Sequence, residues 1–140
     1  MIDSAQQMIE TGRAARNAGD LNTALEQYSA AVEALRATDA PLRLAHTIRH
    51  VADIQTSMGH LAEAEASYAQ ALAIYRDDPA TGTLDLGNTL RGYALLREQT
   101  GDQAAAHAMW SETLELYRKV GVQAGVDEAE RRLAHFETGT

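Results

Sequence analysis

The chain of 140 residues contains no cysteine, so neither a disulfide framework nor a thiolate metal site can form. Lys119 is its one lysine; the positive charge is otherwise all arginine, whose planar fork matches carboxylate and phosphate geometry. Aromatic residues make up only 5 %, which with the many alanines suits close-packed helices better than a thick sheet sandwich. No apolar run approaches the length needed to span a bilayer, and MIDSAQQMIE lacks a basic region followed by an apolar stretch, so a soluble, cytoplasmic protein is expected. The net charge of −8 argues against general affinity for nucleic acid or anionic membrane, both of which need a basic surface. There is no glycine-rich phosphate loop after a strand and no Gly-x-Ser-x-Gly elbow, and His60, His107 and His135 lie on separate elements. Neither an enzyme nor a cofactor is expected. The length is that of a single domain over residues 1–140.

What the chain does contain is a repeat. Shifted by 42 positions, so that Pro41 falls on Thr83, eleven residues coincide: Leu42, Leu44, Thr47, Arg49, Ala52, Gly59, Ala62, Ala64, Leu72, Tyr75 and Arg76 recur from Leu84 to Arg118. A shift of 40 carries Gly19, Leu21, Ala24, Tyr28, Ala31 and Arg36 onto Gly59, Leu61, Ala64, Tyr68, Ala71 and Arg76. The units cover about residues 3–37, 41–76 and 83–119, and a remainder follows over 122–137.

Each unit reads as two helices. Asp3 or Ser4 caps a first helix that Gly19-Asp20 stops, and Leu21, Ala24, Leu25, Tyr28, Ala31, Val32 and Leu35 then form one apolar face to about Ala37. Proline at the first turn opens the next helix, from Pro41 to about Met58, and Gly59-His60 breaks it. Asp77-Asp78-Pro79 with Gly82 makes the longest linker, after which Thr83 is the expected cap and Gly101-Asp102 the third turn. Val122, Val126, Ala129, Leu133 and Phe136 mark a last helix with no partner, expected to cap the final pair. One short helix pair cannot bury its apolar face alone, whereas stacked pairs cover each other.

On Gly19-Asp20-Leu21, Ala24, Tyr28 and Ala31 and their counterparts, the sequence resembles the tetratricopeptide repeat family, with Gly12, Ala52 and Ala94 at the small site of the first helix. The resemblance covers about residues 5 to 119. Unit lengths of 40 and 42 exceed the usual 34 and are similar to the kinesin light chain type, which Thr83 to Arg91 also resembles. It implies an all-α, right-handed α-solenoid of three helix-turn-helix pairs plus a C-terminal capping helix, its first helices lining a concave groove for peptides or protein segments. The family's carboxylate-binding set of lysine and asparagine is not reproduced: Ile9 stands at its first lysine and Arg13 at its asparagine.

The first helices, taken as 3–18, 41–58 and 83–100, hold six arginines against five acids, a balance of +1, while the rest of the chain is strongly acidic. Arg49 and Arg91 are equivalent, and aligning Ala94 with Ala134 gives Arg131 the same role on the last helix. With Arg13, Arg16, Asn17, His46, His50, Asp53 and Asn88 close by, they make a candidate groove for a protein or peptide carrying acidic residues or a C-terminal carboxylate. The alternative is that each arginine pairs with an acid of a neighbouring repeat, such as Asp53 or Glu98, and only fixes the stacking. His46, His50 and Asp53, at i, i+4 and i+7, have a spacing compatible with a metal, but no glutamate follows His46 and no second cluster accompanies them, so no metal is expected. The rival function is a structural subunit that self-associates through its outer face or last helix, which leaves monomer and weak homodimer both open.

Overall fold

Asp3 opens the first helix by accepting the backbone N–H of Gln6 at 2.7 Å. In the structure, a computed structural model that describes residues 3–138, the chain then runs through α1 (Ser4–Asn17), α2 (Leu21–Arg36), α3 (Pro41–Ser57), α4 (Leu61–Asp77), α5 (Thr83–Thr100), α6 (Gln103–Val120) and α7 (Gln123–Thr138). No strand occurs among the described residues. The all-α class and the seven helices are those expected, with ends displaced by a residue or so. Thr83 is a correction: it is the first helical residue, and Gly82 occupies the cap position without a side-chain capping bond.

The turns inside the three pairs share one construction. Gly19, Gly59 and Gly101 adopt φ of +82°, +79° and +85°, the left-handed region that a side chain disfavours. The residue after each glycine donates its N–H back across the turn: Asp20 to the Ala15 carbonyl, His60 to that of Gln55 and Asp102 to that of Arg97, at 2.8 to 3.0 Å. Asp20 and Asp102 then cap the following helix by accepting the N–H of Thr23 and Ala105, both at 3.1 Å. His60 has the same backbone conformation and makes no capping bond.

Packing follows the repeated positions. Ala24, Ala64 and Ala106 are fully buried, and Tyr28, Tyr68 and Trp110, four residues on, are buried beside them. Gly12 is buried against Tyr28: a Cβ there would lie 2.8 Å from the tyrosine ring, so this position is tighter in the first unit than at Ala52 and Ala94. Thr47 and Thr89, also equivalent, are buried with their hydroxyls donating to the carbonyls of Arg43 and Asp85 at 2.8 Å, so neither is left unsatisfied.

The contacts divide the chain between Pro79 and Ala80 into two compact units, within the linker that joins α4 to α5. In the first, α1 packs on α2, α2 on α3 and α3 on α4, around Ile9, Tyr28, Val32, Ile48, Val51 and Ile54. In the second, α6 packs on both α5 and α7, and Ala94, Ala106, Trp110 and Ala129 form a buried cluster that Leu133 and Phe136 cover. The last helix thus has the partner its apolar face requires.

Candidate functional site

In the first unit α1 and α3 both pack on α2 or its flank, and their side chains meet across the gap. At one end Arg43 of α3 forks onto Asp3 at 2.9 and 3.0 Å and reaches Gln6 at 3.3 Å. That guanidinium holds the Asp3 carboxyl down at about 2. At the other end Arg16 Nη1 lies 3.4 Å from His50 Nδ1. The His50 ring stacks on Tyr28, with centroids 5.3 Å apart, and meets the His46 ring edge to face at 4.7 Å.

Burial against Tyr28 is the first reason His50 stays neutral. The positive charges of Arg49, His46, Arg16 and Arg13 add to it, and together they push its pKa down to about 3. Neutral His50 is an acceptor for Arg16 and no counter-charge to it. Arg49 Nη1 reaches Asp53 Oδ2 at 3.2 Å, and the Tyr68 hydroxyl donates to the other oxygen of Asp53. Burial, and then the Asp53 charge, raise the Tyr68 pKa far above its ordinary value. Arg49 Nε is buried without a hydrogen-bond partner. Arg13 and Arg16 have no carboxylate among the described residues. Asn17 is exposed at the end of α1, one turn beyond Arg13.

In the second unit Asn88, Arg91 and Arg131 line one open depression with Tyr117 and Glu128. Arg91 forks onto Glu128 of α7 at 2.5 and 3.1 Å. Glu98 receives the Trp110 indole N–H at 2.6 Å and Arg132 at 3.1 Å, and Arg132 also lies over the Trp110 ring at 5.8 Å from its centroid.

The structure therefore gathers Arg13, Arg16, His46, Arg49, His50 and Asp53 in the first unit and Asn88, Arg91 and Arg131 in the second. Of the expected ladder, Arg91 is engaged by an acid of another helix, as the alternative reading has it, Arg49 pairs with Asp53 of its own helix, and Arg131 has no acid among the described residues. Glu98, weighed as an arginine's partner, takes Arg132. Glu128, Tyr117 and Arg132 were not singled out from the sequence; the one signal for Glu128 is that it stands three residues before Arg131.

A metal has little to hold here: His50 faces cations, and both oxygens of Asp53 are occupied. No group of three His, Cys, Asp or Glu suited to a metal occurs among the described residues. No helix among them is long and apolar enough to cross a membrane. In comparisons with known proteins, no family model and no curated protein matches the chain.

Proposed function

We propose that the chain is a non-catalytic protein-binding module of the tetratricopeptide type, and that the face shared by α1 and α3 receives an acidic segment of a partner. The repeated small and aromatic positions, buried alike in all three helix pairs, support the family reading. The observation that carries the ligand reading is the uncompensated charge of Arg13 and Arg16. Glu10, one turn before Arg13, makes no ion pair with it, and Arg16 faces only the neutral His50. Two guanidiniums beside a neutral ring form an electropositive surface to which carboxylates add charge-assisted hydrogen bonds without breaking an existing pair. The partner is a protein segment rich in aspartate or glutamate, or a chain end.

The self-association reading has less to stand on, because Val126 is buried and Leu133 and Phe136 pack against the Trp110 cluster.

The test is titration of the protein with acetyl-tetraglutamate amide and with its tetraglutamine analogue, followed by NMR at Arg13, Arg16 and His50. Saturable shifts with the glutamate peptide alone are expected, lost in a variant carrying Arg13→Glu and Arg16→Glu. Equal shifts from both peptides, or shifts that survive the double reversal, would sink the reading.

A further inference from the structure

The depression between α5 and α7 encloses about 410 Å³, within the size range of a ligand pocket. Its construction depends on Tyr117 of α6. A Cβ at Gly125 would lie 2.5 Å from that ring, so the bare backbone of α7 is what allows the helix to rest against it. The Tyr117 hydroxyl donates to Asn88 Oδ1 at 2.7 Å, which fixes the amide and leaves its two N–H groups as donors.

Arg131 stands at the rim, and both acids one turn before it are committed elsewhere. Asp127 accepts the Gln123 amide at 2.8 Å, and Glu128 is forked by Arg91. Glu128 at i−3 and Asp127 at i−4 are the positions from which a helix ordinarily neutralises an arginine. Arg132, its neighbour, takes Glu98, whereas no described residue pairs with Arg131.

We infer that this depression is a second carboxylate site, in which Arg131 and the Asn88 amide hold the oxygens of one carboxylate. Arg91 remains with Glu128, and that built-in negative charge tempers the affinity. The inference rests on the acidic-ligand reading above and deepens it by placing a single ligand carboxylate in the second unit. The same chemistry is offered by a free small carboxylate and by an acidic side chain of a polypeptide.

Titration with succinate and, separately, with acetyl-tetraglutamate amide, each at matched ionic strength, tests it through the Nε–H signals of Arg91 and Arg131 and the Gly125 amide. Saturable shifts with either probe are expected. Succinate alone would mark a small-molecule site, and the peptide alone a side-chain site. Arg131→Ala, an exposed change with no contact to lose, should weaken binding at least tenfold, whereas Glu128→Gln should tighten it several-fold while retaining an oxygen for Arg91. Absence of saturable shifts with both probes, or binding indifferent to Arg131→Ala, would overturn the proposal. The Arg13→Glu and Arg16→Glu variant keeps the two questions apart: loss of shifts around His50 with those of Gly125 retained is expected. Peptide shifts around His50 that persist in that variant refute the first-unit reading alone.

Discussion

The two units use the same helix-pair sequence pattern and pair its charges differently. In the second, Arg91 is forked by Glu128 and Arg132 makes a single contact with Glu98, so α5 and α7 are tied by ion pairs at two levels. In the first, one end of α1 and α3 is tied by Arg43 and Asp3, while the other end brings Arg16 to a neutral imidazole. A repeat thus fixes where side chains stand and leaves open whether neighbouring charges cancel. Cancelled charges contribute to joining helices; uncancelled ones are available to a ligand.

The largest expected effect lies in the pairing of Trp110 of α6 with Glu98 of α5. Trp110→Ala removes a fully buried indole and leaves Glu98 without its N–H donor, and should destabilise the protein by about 4 kcal/mol. Denaturant unfolding measures it. A loss below about 1.5 kcal/mol would mean that the second cluster collapses around the hole.

Next in size is a contrast within the first unit. Tyr68→Phe deletes the hydroxyl that donates to Asp53 and should cost about 2 kcal/mol, the range for hydrogen bonds to charged groups. Tyr28→Phe should change stability by less than about 0.5 kcal/mol, since no described residue pairs with the Tyr28 hydroxyl and the ring keeps its stack on His50. Equal losses from the two changes would erase the distinction between these equivalent positions.

The turns offer a smaller test, with the opposite sign. Asp20 and Asp102 cap their helices, and His60 has φ −82° and ψ 67°, close to the −87° and 80° of Asp20, without capping. His60→Asp should therefore stabilise by about 1 kcal/mol, the ordinary contribution of an N-cap side chain. The long contact of His60 with Glu63, at 3.9 Å, is little to lose. A Tm unchanged or lowered would show that the middle turn cannot use the cap its neighbours use.

Much of this fold was legible in the sequence because it is carried by spacing. Gly19, Gly59 and Gly101 announced the turns, and the four-residue step from Ala24 to Tyr28, repeated twice, announced the buried seam. Charge pairing was less legible, since it depends on how far each helix is rotated and which rotamer each long side chain adopts. Glu98 illustrates this: it was weighed as the partner of a first-helix arginine, but it receives the Trp110 indole, and Arg132 of α7 supplies the guanidinium. Asp53 likewise, weighed as the partner of an arginine from a neighbouring repeat, holds Arg49 of its own helix and receives Tyr68 from the second helix. The break between Pro79 and Ala80 lies in the linker that composition had marked as the longest, but linker composition alone does not separate a long turn from a division between units.

The smallest expected effect concerns His50, which also reports on the first unit's free charge. In the unfolded chain a histidine gains a proton as pH falls below about 6.5. In the fold His50 resists that proton down to about 3, through burial and the surrounding Arg49, His46, Arg16 and Arg13. Between those values the unfolded state binds the extra proton, so stability falls as pH is lowered. The contribution of neutral His50 is whole above about pH 6.5 and is lost progressively toward pH 3. His50→Gln should flatten this part of the stability curve, by a modest amount because the ring is only half-buried and solvent screens it. A ligand sharpens the measurement: carboxylates seated against Arg13 and Arg16 oppose the positive charges that lower the His50 pKa, and so must raise it. NMR titration of the His50 ring with and without saturating tetraglutamate peptide reads that shift. A curve unmoved by the peptide would place any binding away from α1 and α3.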